Sequence, residues 1–331
     1  MRSQVAKRSR SRASIELTAW SAVSVLALGL AVLGFGVIAP VDNRATEQVL
    51  TPVVEHLAQR TVRVPMTSAP VAAPLTLDAS IRRALGPPPG AIPDTAPART
   101  AAPADRYAFL FGVSRYRKPT HDTIGGANDV QQLASLLVAQ GWLAQNITVV
   151  TDEQATGTAL RAGLAWLAGK SQAGRTFSLF HYSGHVRQTG GGRAALWPVD
   201  SDFVPDAAVV SALKQVRGKL WADFAGCEAA AFLPGLPSSD VLVSASSTAV
   251  QKSYEYPPWT QSVWAGLVFT LGIGQGGADA DRDGRVTVGE ALRYATYYAQ
   301  AIPFTQQPYG RQTPQSAGDP VRGWTLADPP A

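Results

Sequence analysis

Beyond residue 105, short uninterrupted apolar runs alternate with segments whose apolar residues recur at helical spacing. The apolar runs fall at 107–113, 147–150, 176–182, 219–225 and 241–245, and the helical segments at 127–140, 156–168 and 207–216. Continuous apolar strands that alternate with helices are typical of a mostly parallel sheet with helices on both faces. The pattern therefore predicts an α/β fold for residues 105–331, a length that is enough for one sizeable core.

The N-terminal third differs in composition from this domain. Residues 42–104 contain no Phe, Trp or Tyr and hold ten prolines. Such a segment cannot bury enough apolar surface to offset the entropy lost on ordering. We interpret it as a Pro/Ala-rich linker, within which residues 47–58 and 75–85 have helical spacing.

An uncharged run of 25 residues at 17–41 is preceded by five Lys or Arg residues. A helix of this length would cover about 37 Å, enough to cross a hydrocarbon core of about 30 Å. The positive charge on one side predicts a basic cytoplasmic tail at 1–16, a single transmembrane signal-anchor helix at 17–41 and an extracytoplasmic domain. A cleaved signal peptide, which would give a secreted protein, and a buried soluble helix stay open as alternatives.

The charge balance gives little reason to expect a nucleic-acid partner. Of the 29 Lys and Arg residues, five lie in the basic tail, and the remaining 24 balance 24 Asp and Glu residues. Nucleic-acid binding usually needs a basic face on a folded domain. The single cysteine, Cys227, excludes a disulfide scaffold.

Cys227 and His185 each follow an apolar run, at 219–225 and 176–182 respectively. If the two strands are neighbours, a thiol and an imidazole emerge at the edge of the sheet where sites in open α/β folds form. Such an imidazole can take the thiol proton and later protonate a leaving amine. A buried structural cysteine with a hydrogen-bonded loop histidine is the simpler alternative. A zinc site with His181 is another.

The sequence of residues 180–185, Phe-His-Tyr-Ser-Gly-His, resembles the histidine signature of caspase-like cysteine peptidases, particularly metacaspases and their bacterial relatives. Further similar stretches occur in the order expected for that family, at 107–113, 125–130 (GGANDV), 196–200, 220–229 and 268–271. The resemblance covers about residues 105 to 300. It implies a caspase-like three-layer sandwich and hydrolysis of peptide bonds, without an organic cofactor, in a protein or peptide substrate.

The resemblance also implies a role for individual residues. His185 corresponds to the general base and acid, and Cys227 to the nucleophile. The amides of Gly184 and Cys227 become candidates for the oxyanion hole. Asp129 corresponds to one acid of the pocket that receives a substrate Arg or Lys in metacaspases, and Asp223 is a candidate for the second.

Three positions depart from the family pattern. Val186 replaces the glycine after the dyad histidine, Ala225 replaces the second pocket acid, and Glu228 stands beside the nucleophile. An acid that pointed toward the thiol would raise its pKa. The alternative to an endopeptidase is therefore an inactive caspase-fold interaction module anchored in the envelope. A calcium-dependent adhesion or scaffold protein is a third interpretation.

Residues 279–290 match the 12-residue EF-hand calcium loop at its diagnostic positions. The predicted ligands are Asp279, Asp281, Asp283, the carbonyl of Arg285, Thr287 and Glu290. Hard Ca²⁺ prefers an all-oxygen set of this kind. Helices predicted at 262–271 and 288–299 flank the loop. We expect one structural calcium ion, with a solvated acidic turn as the alternative.

Overall fold

The computed structural model describes residues 76, 103–117, 119–236, 239–300, 312–318 and 323–327. The predicted tail 1–16, the predicted anchor 17–41 and nearly all of the linker 42–104 lie outside the described residues. None of the helices in the described ranges is both long and apolar enough to cross a bilayer.

The described residues form eleven strands, most of them in one central sheet. They are β1 Arg106–Gly112, β2 Ile147–Thr151, β3 Phe177–Ser183, β4 Val186–Gly190, β5 Arg193–Leu196, β6 Val204–Pro205, β7 Lys219–Ala225, β8 Val241–Ala245, β9 Glu255–Tyr256, β10 Gln261–Ser262 and β11 Gln315–Ala317. The central sheet has the order β11-β8-β7-β3-β1-β2. All its neighbours are parallel except β11, which pairs antiparallel with β8. The predicted, mainly parallel sheet is confirmed.

Helices cover both faces of the central sheet. They are α1 Gly126–Ala139, α2 Gly157–Lys170, α3 Asp206–Leu213, α4 Val263–Ala265, which continues as a π-helix at Gly266–Gly274, and α5 Val288–Ala299. On one face, α1, the π-helix and α5 share a buried cluster with Leu110 and Trp221. On the other face, α2 and α3 pack against Phe109 and Phe224. Successive side chains of a strand therefore pack into two cores, one on each face of the sheet. The predicted three-layer sandwich is confirmed.

Glycines allow α1 to begin directly against the end of β1. A Cβ atom on Gly112 would lie 2.1 Å from the carbonyl oxygen of Gly126, and one on Gly126 would lie 2.1 Å from that of Val113. No larger residue fits at either position without moving the backbone. This contact places the first turn of α1, with Asp129, beneath the carboxyl end of the sheet.

The predicted elements differ from the structure in three places. The predicted helix 207–216 ends at Leu213, after which Gln215 and Val216 donate to carbonyls three residues earlier and Gly218 turns the chain with φ at +78°. The predicted helix 262–271 is mostly a π-helix. The antiparallel sheets β4-β5-β6 and β9-β10 were not predicted, because strands of two to five residues carry too few alternating positions to show a period of two.

Residues 323–327 pack against the first residues of α5 and of β1. The amide of Val288 donates to the carbonyl of Trp324 at 2.7 Å, and Thr287 forms a β-bridge with Thr325. The carbonyl of Leu326 accepts from the indole of Trp142 at 2.9 Å and from the buried guanidinium of Arg106 at 3.3 Å. The segment thus joins the start of α5 to the start of β1.

Candidate active site

The carboxyl ends of β3 and β7 lie side by side. Ser183 pairs in register with Ala225, so His185 and Cys227 each follow their strand by two residues. The amide of Gly184 donates to the carbonyl of Ala225 at 3.2 Å, and a Cβ atom on Gly226 would lie 2.8 Å from the carbonyl oxygen of Gly184. The loops that carry the imidazole and the thiol are therefore in contact at one edge of the sheet.

The imidazole of His185 is held by main-chain and tyrosine groups. Its Nε2 atom lies 2.8 Å from the carbonyl oxygen of His121. Since a carbonyl can only accept, Nε2 is the donor in this contact, and in the neutral ring Nδ1 is then the acceptor. The amide of His185 donates to Tyr116 Oη at 2.7 Å, and Tyr182 Oη donates to its carbonyl at 2.5 Å. The histidine is thus fixed in the tautomer that a general base needs.

The thiol of Cys227 lies in a mostly buried environment beside the segment that follows β8. Its Sγ atom is 3.5 Å from the amide nitrogen of Ser253. Burial raises the pKa of the thiol, the hydrogen bond with Ser253 lowers it, Glu228 raises it, and Lys252 lowers it. Since the net effect is upward, the thiol is protonated at neutral pH and needs a base to remove its proton.

Glu228 stands in the left-handed region, with φ at +50°, and its side chain is 3% exposed. One carboxylate oxygen, Oε1, accepts from Lys252 Nζ at 2.7 Å, whereas Oε2 is buried without a hydrogen-bond partner. The side chain of Lys252 is 52% exposed, so solvent screens this ion pair. The expected effect of an inward-pointing acid on the pKa of Cys227 is therefore present but partly offset.

The hydrogen-bond pattern changes which main-chain amides are available for an oxyanion hole. The amide of Gly184 is already bound to the carbonyl of Ala225, so its assignment to the oxyanion hole is wrong. The amide of Trp197 donates to the carbonyl of His185, and Val186 pairs with Leu196. In an antiparallel ladder this pattern directs the amide of Val186 away from the partner strand.

Near the predicted dyad, the amide of Val186 thus joins that of Cys227 as a candidate donor. Val186 does not adopt a positive φ. The replacement of glycine at this position therefore causes no backbone strain, and it keeps the amide.

Asp129 lies in the first turn of α1, immediately beneath the end of β3. It is 1% exposed. Its Oδ2 accepts from Ser183 Oγ at 2.6 Å and its Oδ1 from the amide of Ser262 at 3.0 Å. Burial raises its pKa to about 7, although both hydrogen bonds act in the opposite direction. Asp129 is therefore buried beneath the end of β3, where it contacts Ser183, two residues before His185 in the chain. Its role as a pocket acid stays a prediction.

Asp223 does not lie at a pocket surface. It is fully buried in the middle of β7, and its Oδ2 lies 2.7 Å from Nδ1 of His181 on β3. Its Oδ1 accepts from Trp264 Nε1 at 2.9 Å and from the hydroxyl of Ser244. The predicted substrate contact is thus corrected, because these core groups already occupy both oxygens. Since His181 is a buried partner of Asp223 within a strand, the geometry also disfavours a zinc site with His185 and Cys227.

Residues 105–263 match the family model of the caspase domain, Peptidase C14. The matched region runs from just before β1 to the first residue of α4 and contains His185 and Cys227. It supports a relationship to the caspase-like cysteine peptidases. No curated protein matches the chain.

The predicted calcium loop at 279–290 lies beyond the matched region. Ligand atoms of Asp279, Asp281 and Asp283 lie within 4.8 Å of one another. Asp279 Oδ2 accepts from the amide of Gly284 at 3.0 Å, while its Oδ1 is buried without a partner. Gly284 has φ at +83°, as the sharp turn of such a loop requires. Three of the predicted acidic ligands therefore converge, and an orphaned carboxylate oxygen fits a hard cation.

Glu290 is not part of this cluster of three aspartates. Its Oε2 accepts from the amide and hydroxyl of Thr287 at 2.9 and 3.0 Å, and its Oε1 accepts from the amide of Ala280 at 3.1 Å. Thr287 in turn caps α5. These contacts hold the carboxylate against the loop, where it would have to exchange hydrogen bonds for a metal. The side chain of Arg285 supplies no ligand, as its predicted contribution is a carbonyl.

Two groups at the caspase-domain site escaped the sequence analysis. The carbonyl of His121 has no sequence signal, because every residue carries one. The hydroxyl of Tyr116 accepts from the amide of His185, and its ring centre lies 4.7 Å from that of His185. Its position shortly after β1, at the same edge as the dyad, is the signal that could have revealed it.

Proposed function

We propose that the chain is a cysteine endopeptidase in which Cys227 is the nucleophile and His185 the general base and acid. The observation that carries this proposal is the register of β3 with β7, which brings the two loops together at the carboxyl edge of the sheet. The match of residues 105–263 to the caspase domain supports the same class of enzyme.

The chemistry follows from the protonation states of the two groups. As Cys227 Sγ attacks the substrate carbonyl, its proton passes to Nδ1 of His185, and the amides of Cys227 and Val186 stabilise the oxyanion. The tetrahedral intermediate collapses when His185 returns the proton to the leaving amine. Water, deprotonated by His185, then attacks the thioester, and the released thiol regains its proton.

A preference for basic residues before the scissile bond is a finer part of the proposal, and it rests on Asp129. A buried carboxyl with a pKa of about 7 is only half ionised at neutral pH. A substrate guanidinium or ammonium group would favour the ionised form, whereas a neutral side chain would leave it protonated. With Asp223 engaged in the core, Asp129 would have to act without a second acid.

Thiol labelling tests the proposed function. A peptidyl acyloxymethyl ketone should modify Cys227 of the full chain, and excess substrate peptide should slow the reaction. Because the pKa of the thiol is raised, the rate of alkylation by iodoacetamide should climb steadily from pH 7 to pH 9. Mass spectrometry of the labelled peptide gives both results.

Absence of peptidyl labelling in folded protein would instead favour the second candidate, an inactive caspase-fold interaction module. The raised pKa of Cys227 and the acid at Glu228 are the observations that favour this alternative. Partner binding that persists in Cys227→Ala would then support it.

We also propose that the 279–290 loop binds one structural calcium ion. Asp279, Asp281 and Asp283 would hold it, with the Arg285 carbonyl, Thr287 and Glu290 completing the shell. Calcium supplies charge neutralisation among carboxylates that otherwise repel one another. Because α5 begins at the end of this loop, the ion would stabilise the helix that covers one face of the sheet.

Calcium at a hundredfold excess over its dissociation constant should raise the melting temperature of the full chain by about 5–10 °C. Asp281→Ala and Asp283→Ala should remove this increment, because alanine supplies no ligand oxygen at either loop position. Asp202→Ala, at an exposed acid of the other core face, should retain it. Equal melting temperatures in EGTA and in millimolar calcium would contradict the site.

The membrane anchor at 17–41 remains part of the proposal on the sequence argument alone. It would place the caspase domain on the extracytoplasmic side, with the linker as a spacer. Protease protection of the N-terminal tail in sealed vesicles would test this orientation.

A further inference from the structure

A row of aromatic rings extends from the catalytic imidazole across the small antiparallel sheet. The ring centre of Trp197 lies 5.9 Å from that of His185, and the ring centre of Phe203 lies 5.0 Å from that of Trp197. The guanidinium carbon of Arg187 stands 4.6 Å above the centre of the Phe203 ring. The row therefore begins at the dyad and ends at a cation.

The row presents surface to solvent. Trp197 and Phe203 are half-buried, and Arg187 is exposed. The indole nitrogen of Trp197 donates to Ser201 Oγ at 3.2 Å, which fixes the ring. Adjacent, partly exposed aromatic rings offer a large apolar contact area to a ligand.

The charge of Arg187 is not neutralised by a carboxylate in the described part of the chain. The nearby acids are already committed, because Asp202 pairs with Arg161 and Asp206 pairs with Arg193. A cation held over an aromatic ring and left without an acid is suited to a carboxylate from a ligand.

The direction of peptide-bond cleavage identifies which half of a substrate reaches this row. Ser253 lies beside Cys227 at the start of a segment that packs on the sheet face covered by α1, since Glu255 accepts from the amide of Gly125 and Tyr254 belongs to that core. His185 lies toward the other face of the sheet, because Val186 and Trp197 pack in the core that α2 and α3 cover. Since His185 must protonate the leaving amine, the segment after the scissile bond leaves on the side of His185 and continues toward Trp197.

We propose that Trp197, Phe203 and Arg187 form the subsite for the leaving-group segment of the substrate. It takes an aromatic or large aliphatic side chain in the first two residues after the scissile bond, followed by an acidic residue. An extended peptide advances about 3.3 Å per residue, so three residues reach from the imidazole to Phe203. This assignment rests on the proposed function, because it requires that His185 delivers the proton.

Peptides that differ only after the scissile bond test the subsite. A digest of a peptide library by the full chain first gives the preferred residues before the bond. Two quenched fluorescent peptides with that sequence then carry Phe-Leu-Glu or Gly-Gly-Lys after it. Wild type should cleave the first with a kcat/KM about tenfold higher, as expected for aromatic and charge contacts of this kind.

Phe203→Ser and Arg187→Gln should each reduce this preference to about twofold. Both should leave the rate of labelling by a peptidyl chloromethyl ketone unchanged, because that probe places only a chlorine atom after the scissile position. Trp197 is left intact, since its ring contacts His185. Arg175→Gln is the matched control, because Arg175 is an exposed arginine that pairs with Asp105 at the opposite end of β3.

The possible results distinguish a failure of the proposed subsite from a failure of the proposed function. Equal cleavage of both peptides by wild type, or an unchanged preference in both variants, overturns the subsite while the endopeptidase stands. If wild type neither cleaves the peptides nor reacts with the label, the proposed function is overturned, and the subsite with it.

Discussion

Peptide hydrolysis by the full chain should fall by at least about a thousandfold in both Cys227→Ala and His185→Ala. Loss of the sulfur removes the nucleophile. Loss of the imidazole leaves a protonated thiol of raised pKa with no base beside it. Initial rates on the preferred library peptide measure both effects.

The two variants differ in a second measurement. Iodoacetamide should still alkylate Cys227 in His185→Ala at pH 9, because burial and the contacts with Ser253 and Glu228 govern the pKa of the thiol. His121→Ala is the matched control, since it keeps the carbonyl that accepts from Nε2, and its activity should stay within about threefold of wild type. Retention of a tenth or more of the activity in His185→Ala would remove this histidine from the mechanism.

The second large effect concerns stability. Asp223→Ala should lower the free energy of unfolding by about 3–5 kcal/mol, because it leaves His181, Trp264 and Ser244 without their shared acceptor in a dry core. The reason is specific to burial, since Asp223 is fully enclosed. Urea unfolding of the full chain, with the slope checked for a change in the unfolded state, provides the measurement.

A more conservative substitution of Asp223 and a substitution of an exposed acid test whether this loss of stability depends on burial. Asp223→Asn keeps the shape and one acceptor oxygen, so it should lose less than Asp223→Ala and remain folded if the alanine variant does not. Asp202→Asn breaks an exposed pair with Arg161 and should cost less than about 1 kcal/mol. Near-normal stability of Asp223→Asn, together with a raised KM, would return Asp223 to the substrate pocket.

The fold could be predicted largely from the alternation of apolar runs and helical segments. Buried parallel strands must be apolar throughout, so the apolar runs at 107–113, 176–182 and 219–225 could be predicted as strands. Strand order is a property of the sheet and not of any one strand, so the sequence argument could only assume that β3 and β7 are neighbours, and their pairing is seen in the structure. The short strands β4, β5 and β6 were missed because half-exposed segments of two to five residues lack a clear period.

The candidate site was predictable where its chemistry depends on a reactive side chain. His185 and Cys227 follow strands and carry an imidazole and a thiol. Gly184 was misassigned, because the partner of a main-chain amide depends on strand register. Asp223 was misassigned for a related reason, since the sequence position of an acid does not tell whether the side chain turns toward solvent or toward His181.

The return of residues 323–327 to the base of the domain has a consequence for where this folding unit ends. A fragment that stopped at residue 263, where the match to the caspase domain stops, would deprive Arg106 and Trp142 of the Leu326 carbonyl. It would also bare the apolar face of the sheet that the π-helix and α5 cover. The polypeptide beyond the matched region is therefore an integral half of one hydrophobic core, and truncation there should yield an aggregating product.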